Sequence, residues 1–236
     1  MTTADPFGRA IRDFHRGEQD EPLIDRDGEE TRVHPIEDFY FGTFDRDSEQ
    51  GAWCAPWLDG ALLDMGAGAG RDTLHFQEHL ETVAIEPSAH LVETMRERGV
   101  RDARVGDMFA LRETFERDRF GSALAIGTQV GLAGSMQGLR RFLSDLAFVT
   151  MPGASAVLDG YDPNHESEDL LGYRADPTRG LAHRVLHFEY DGDVGETLYF
   201  RLFSPDRVRE AAVGTGWSVA EVSTDAGYYR LALTKV

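Results

Sequence analysis

Three short stretches combine residue types that could do chemistry. Asp64-Met65-Gly66-Ala67-Gly68-Ala69-Gly70-Arg71 has glycines at alternate positions. Glycines let a backbone approach a ligand closely and take dihedrals that other residues avoid. If a helix starts at Arg71, its free N–H groups face a polar or anionic group. A dinucleotide fingerprint would need glycine at position 71, where arginine stands, and no phosphate-loop pattern occurs. The second stretch is Glu86-Pro87, with Glu86 twenty residues past Gly66; a carboxylate there can accept from the two vicinal hydroxyls of a ribose. In the third, Asp107, Met108 and Phe109, an acid could take an amino hydrogen of a flat heterocycle while apolar neighbours cover its face.

These stretches need a scaffold that brings them to one edge. Short apolar runs at 61–65, 82–85, 103–105, 122–126 and 154–158 read as buried parallel strands. Helical patterns lie between them. One covers Arg71–Leu80. A second is capped by Ser88, turns Leu91, Val92 and Met95 to one side, and stops at Gly99. A third runs from Met136 to Val149, with Leu139, Phe142, Leu143 and Leu146 at helical spacing, and Met151-Pro152-Gly153 is expected to end it. Residues 217–222 and 228–234 supply two closing strands. His183–Tyr190 and Glu196–Phe203 flank Asp191-Gly192-Asp193-Val194-Gly195 as a hairpin, followed by Ser204-Pro205 as a helix start. The expectation is one α/β domain over residues 1–236. It has a Rossmann-like, seven-stranded, mostly parallel sheet flanked by helices, with a β-hairpin inserted before the last helix. Residues 1–50 read as polar and irregular, the segment 1–55 as lid-like, and 162–203 as an inserted loop and hairpin.

With this pattern in place, the chain resembles the class I S-adenosylmethionine-dependent methyltransferases. The motifs cover about residues 55–160, and the closing helix and strands also fit. The resemblance implies that Asp64, Gly66, Ala67, Gly68 and Gly70 hold the methionine part of S-adenosylmethionine. It implies that Glu86, beside Pro87, holds the ribose, and that Asp107, Met108 and Phe109 serve the adenine side. The reaction implied is in-line displacement at a sulfonium methyl, for which the protein mainly positions a nucleophile. Gly127-Thr128-Gln129, after the fourth strand, falls where the family usually meets its acceptor. No Asn/Asp-Pro-Pro-Tyr/Phe segment and no Pro-Cys follows that strand, which departs from the adenine-, glutamine- and cytosine-modifying patterns.

Thr128, Gln129 and His165 are the candidate catalytic residues; His165, among the polar residues after the fifth strand, is the candidate base because histidine titrates near neutrality. Tyr40 and Phe41 could fold over the cofactor, or simply pack the N-terminal segment. Arg71 could pair with the methionine carboxylate or with a surface acid. His75 and His79 are four apart, but H-E-x-x-H is absent and no third ligand is apparent, so no metal is expected. The hairpin either covers the acceptor or forms a homodimer surface through Phe188 and Phe200.

Bulk composition narrows the partners. The 236 residues carry 24 basic and 42 acidic side chains, a net charge of −18. Lys235 is the lone lysine. Such a balance disfavours nucleic acid and anionic membranes, and it resembles proteins of salt-loving archaea. No apolar run reaches membrane-spanning length. The opening residues lack a basic-then-apolar leader, and Cys54 has no partner for a disulfide. A cytoplasmic protein with a small-molecule acceptor is the first expectation. A non-catalytic sensor of the same cofactor, a nicotinamide-dependent oxidoreductase and a macromolecule methyltransferase are the alternatives.

Overall fold

The computed structural model describes residues 4–165 and 172–236; part of the expected inserted loop lies outside the described residues. In chain order the strands are β1 (Ile24–Asp27), β2 (Glu30–Val33), β3 (Leu62–Met65), β4 (Thr82–Glu86), β5 (Ala103–Val105), β6 (Phe120–Ala125) and β7 (Thr150–Tyr161). They continue with β8 (Arg174–Ala175), β9 (Leu181–Tyr190), β10 (Asp193–Val194), β11 (Leu198–Phe203), β12 (Trp217–Asp225) and β13 (Tyr228–Lys235). The helices are α1 (Pro6–Arg16), α2 (Glu49–Cys54), α3 (Arg71–Phe76), α4 (Ala89–Glu97), α5 (Leu111–Thr114), α6 (Met136–Val149) and α7 (Pro205–Ala212).

The main sheet has the order β12-β13-β7-β6-β3-β4-β5. Strands β3 to β7 pair in parallel, and β13 is inserted antiparallel between β7 and β12. This is the expected seven-stranded, mostly parallel sheet. Every residue of β3 and β4 is buried, because helices cover both faces and leave no solvated side. Leu63, Met65, Val83 and Ile85 pack with residues of α5, α6 and α7. On the other face Leu62 meets Cys54 of α2 and Phe76 of α3, and Ala84 meets Val92 and Met95 of α4.

Two helical boundaries differ from expectation. Helix α3 ends at Phe76, so residues 77–80 form a turn that Leu80 still anchors in the core. Helix α6 ends at Val149 and passes directly into β7 at Thr150, so Met151-Pro152-Gly153 lies within the strand segment. Pro152 is tolerated there because it lies within a shift of the β6–β7 register, where Phe120 pairs with Thr150 but Ser122 pairs with Ser155.

The larger correction concerns residues 4–50, which hold a helix and a strand hairpin rather than an irregular segment. Strands β1 and β2 form a hairpin, and β1 pairs with β9 across the chain, Arg26 opposite His187. The expected hairpin of β9 and β11 is present, with Leu198 opposite Leu186, but it belongs to this second sheet, together with β8 and β10. Phe188 packs on Phe7 at 4.6 Å between ring centres, and the ring of Phe200 lies on Gly131. Both rings are therefore engaged within the chain.

Candidate functional site

The carboxyl ends of β3, β4 and β6 form one crevice, and each sequence motif arrives there by a distinct local device. After β3 the chain doubles back as the amides of Gly66 and Ala67 donate to the Ile85 carbonyl at 3.0 and 3.2 Å. Gly66, Gly68 and Gly70 all take positive φ, at 65°, 57° and 82°. Side-chain-bearing residues would be strained there, which is why this turn is built on glycine. Asp64 is buried beneath the turn and accepts from Thr73 Oγ1 at 2.5 Å. Burial, with Asp72 nearby, pushes its carboxyl up to about 7.

Glu86 closes the other side of the loop. Its Oε2 accepts the Gly68 amide at 3.1 Å. Burial pushes this carboxyl up to about 7 even though backbone N–H groups of Gly68 and Ser88 hold it down. A buried carboxyl with acceptor capacity to spare, beside a glycine cradle, fits vicinal hydroxyls and so fits an adenosyl group. Pro87 leads into Ser88, whose hydroxyl accepts the Leu91 amide at the start of α4 and donates to Asp5 Oδ2 at 2.5 Å. Asp5 in turn caps α1 through the Gly8 amide at 2.8 Å. The first helix is thereby anchored beside the ribose-type acid.

On the β5 side, Asp107 is exposed and its Oδ1 accepts the Phe109 amide at 2.8 Å. The Met108 side chain is buried in the main core, and Phe109 meets Phe142 edge-on with centres 5.8 Å apart. The Met108 side chain is thus held by the core, with its backbone past the end of β5.

Two side chains form the roof of the glycine loop. Tyr40, in a five-residue π-helical turn Glu37–Phe41, lays its ring on Gly68: a Cβ there would come within 3.2 Å of Tyr40 Cδ1. Gln129, which opens a 3-10 turn, covers Gly66 from the opposite side, 2.6 Å from where a Cβ would stand. Gln129 is placed by Thr128, whose φ is +59°, and by Asp159 at the end of β7. Asp159 is fully buried and accepts the amides of Gly127 at 2.9 Å and Thr128 at 2.6 Å, along with the Tyr228 hydroxyl. The Tyr228 side lines a polar cavity of about 160 Å³ with Trp53, Gln50 and Arg230.

Arg71 makes a two-pronged ion pair with Asp72, 3.1 Å on each side, and reaches the Phe39 carbonyl. His165 lies against Gly227 in the β12–β13 turn, its ring about 3.1 Å from where a Cβ would stand, and so is not gathered over the glycine loop. His75 packs on Phe44 at 4.6 Å. Among the described residues no three His, Cys, Asp or Glu side chains are grouped as metal ligands.

Sequence reasoning missed three residues here. Arg98 donates to the carbonyls of Tyr40 at 3.1 Å and Ala69 at 2.5 Å, and its guanidinium lies 4.9 Å from the Phe41 ring centre. It ties the Tyr40 turn to the glycine loop. Asp159 was missed as the anchor of Thr128. His34, from the β2 end, contacts the Tyr40 hydroxyl at 3.1 Å and Asp25 at 3.0 Å. Asp159 and His34 could not be found from spacing, since their partners are remote in sequence or sit on an unrecognised strand.

No protein-family model matches the sequence, and no curated protein does. Solved structures do match. A methyltransferase from Bacteroides fragilis, crystallised with S-adenosyl-L-homocysteine, is 24% identical. It aligns over 98% of this chain and 95% of its own with a TM-score of 0.81. The CcbJ methyltransferase from Streptomyces caelestis is 15% identical over 85% of this chain and 96% of its own, TM-score 0.63. CalS10 from Micromonospora echinaspora, an amino pentose methyltransferase solved with S-adenosylmethionine, is 16% identical over 75% and 84%, TM-score 0.57. The chain has the Rossmann-like methyltransferase fold. In the Bacteroides match the likeness extends beyond the sheet, since 98% coverage takes in the second sheet and α1 as well. That breadth separates it from the other two, which leave 15–25% of this chain unmatched.

Proposed function

We propose that the protein binds S-adenosylmethionine and transfers its methyl group to a small molecule. The observation that carries this reading is the pairing of Glu86 with the Gly68 amide at the rim of the glycine turn. A carboxyl held there, with Asp64 beneath and Tyr40 and Gln129 above, matches what an adenosyl group with a charged methionine tail requires. When bound, the cofactor would supply a methyl group already activated by the sulfonium, so the chain's task is to orient and enclose. Asp64 and Glu86 would hold the two polar ends, with Gly66, Ala67, Gly68 and Gly70 giving close approach. Tyr40 and Gln129 would exclude water from above. Asp107 and the backbone of Met108 and Phe109 would serve the adenine edge, and Gly127 and Thr128 would face the acceptor.

A small acceptor is favoured because the loop is roofed rather than open. CalS10, a structural neighbour, is an amino pentose methyltransferase, which adds support from chemistry of the same scale. Titration calorimetry tests the cofactor assignment. S-adenosylhomocysteine is expected to bind one per chain in the micromolar range, while NAD is expected to give no heat. Heat from NAD alone would overturn the assignment.

We further propose that the acidic surface is an adaptation to concentrated salt. The charge of −18 is carried against 23 arginines and one lysine; at 1 M salt, screening shortens to about 3 Å and relieves this self-repulsion. No helix of the described residues is long and apolar enough to cross a membrane. The melting temperature is expected to rise by about 10 °C between 0.1 and 2 M KCl, a few kcal/mol for a chain of this size. A melting curve that ignores KCl would contradict this.

A further inference from the structure

The second sheet contains a polar array that neither the fold nor the cofactor assignment requires. His34 sits inside a cage of Phe7, Phe39, Tyr40 and Phe188, with ring centres 5.4–5.8 Å away. Both imidazole nitrogens are engaged: Nδ1 lies 3.0 Å from Asp25 Oδ1, and Nε2 lies 3.1 Å from the Tyr40 hydroxyl. The side chains of His34 and Asp25 are each only 10% exposed. An ionised carboxylate can only accept, so Nδ1 must carry the imidazole proton, leaving Nε2 to accept from Tyr40. This is the Asp–His–hydroxyl logic of a nucleophile activator, with a phenol in the last position.

The charged groups around the array are few. Arg184 of β9 lies 3.6 Å from Asp25 on the far side from His34. Burial above all, and then Glu86 on the crevice side and Asp25 behind His34, raise the Tyr40 hydroxyl above its ordinary value, while Arg71 opposes them. Tyr40 is therefore a neutral phenol, whose oxygen can take a proton only while passing its own to His34.

We propose that Asp25 and His34 are positioning residues that make the oxygen of Tyr40, whose ring lies on the glycine loop, a proton acceptor, so that the methyl acceptor is a hydroxyl or a neutral amine rather than a thiolate. The proposal rests on the cofactor assignment above. Tyr40 Oη takes the proton the acceptor sheds as the acceptor's lone pair bonds to the methyl carbon. The C–S electron pair returns to sulfur, and Tyr40's own proton moves to Nε2. The resulting imidazolium is balanced by Asp25, and once the products have left it returns a proton to Tyr40, whose oxygen releases its extra proton to water, which resets the relay.

The test avoids the unidentified acceptor by using two cofactor analogues. Sinefungin carries an amine where S-adenosylmethionine has its transferable methyl, and S-adenosylhomocysteine carries nothing at that place. One ion-assisted hydrogen bond to Tyr40 Oη gives sinefungin an advantage of about tenfold over S-adenosylhomocysteine. That ratio, taken within each protein, is expected to fall to about one in Tyr40→Phe and to less than about threefold in His34→Phe, where the oxygen remains but its proton is free to turn toward the amine. In parallel, imidazole 15N spectra of the unaltered protein, with His34→Phe as the assignment control, are expected to find the Nδ1–H tautomer at His34. An Nε2–H tautomer, or the same analogue ratio in all three proteins, overturns the relay. If a variant fails to fold, the tautomer still decides. If S-adenosylhomocysteine does not bind the unaltered protein, the cofactor assignment itself has failed, which is a different result from binding with an unchanged ratio.

Discussion

Glu86→Gln is expected to abolish S-adenosylhomocysteine binding at micromolar concentrations and, in the same molecule, to raise the stability of the free protein above neutral pH. The two effects share one cause. The Glu86 carboxyl is buried and pushed up to about 7 from an ordinary 4.5. The folded protein therefore binds more protons than the unfolded chain between those values, and stability declines as pH rises through that window, then levels. A raised pKa of this size corresponds to about 3 kcal/mol of lost stability above pH 7. The amide is isosteric and uncharged, so it avoids that cost; thermal melts at pH 5 and pH 8 should separate for the natural protein more than for the variant. Binding runs the other way. Two hydroxyls donating to a carboxylate contribute about 1.5 kcal/mol each, so loss of the charge weakens affinity by about a hundredfold. Affinity of the natural protein should accordingly increase from pH 6 to pH 8, since hydroxyls favour the ionised acid. Tight, pH-independent binding by Glu86→Gln would show that this carboxyl does not face a ribose.

The parts legible in the sequence were those in which local pattern and final environment agree. Strands β3 and β4 are wholly buried and read as plain apolar runs. The glycine turn, Glu86 and the Ser88 cap sit within a few residues of a strand end, and their types are dictated by backbone geometry. The second sheet was hidden for the opposite reason. In β1 the inward residues are Asp25 and Asp27, so the strand turns acids inside, where binary patterning looks for apolar side chains. Those acids are compensated by Arg184 and Arg174, roughly 150 residues away in sequence, and pairing of that range leaves no local signal. Strand β2 is exposed throughout and carries no pattern either. Tyr40 was visible only as part of an aromatic patch. What makes it notable, the contact of its ring with Gly68 and of its hydroxyl with His34, depends on that unseen sheet. The length of α3 was overstated because Leu80 continues the apolar stripe from a turn rather than from a helix.

Asp159 illustrates the same limit at the site, and its removal is expected to have the largest effect on stability. It is 0% exposed and receives three donors: the amides of Gly127 and Thr128 and the hydroxyl of Tyr228. Asp159→Ala leaves all three part-buried donors without this acceptor, at about 1 kcal/mol each, so a loss of about 3 kcal/mol is expected in urea unfolding. Asp159→Asn keeps one acceptor oxygen but turns an amine toward a neighbouring donor, and should cost about half as much. Burial raises the Asp159 carboxyl above its ordinary value while its three donors hold it down. Above that raised value the acid is ionised and all three donors are used, whereas the proton it gains at lower pH competes with one of them. The consequence reaches the crevice through Thr128, whose left-handed backbone has no intrinsic reason to persist once its amide is free. Gln129 would then leave its place over Gly66. At a temperature where Asp159→Asn remains folded, S-adenosylhomocysteine should bind more weakly to it than Tyr228→Phe does, because the phenol is one donor of three and does not hold the turn. Equal affinities in the two variants would mean that the turn after β6 holds its shape without Asp159.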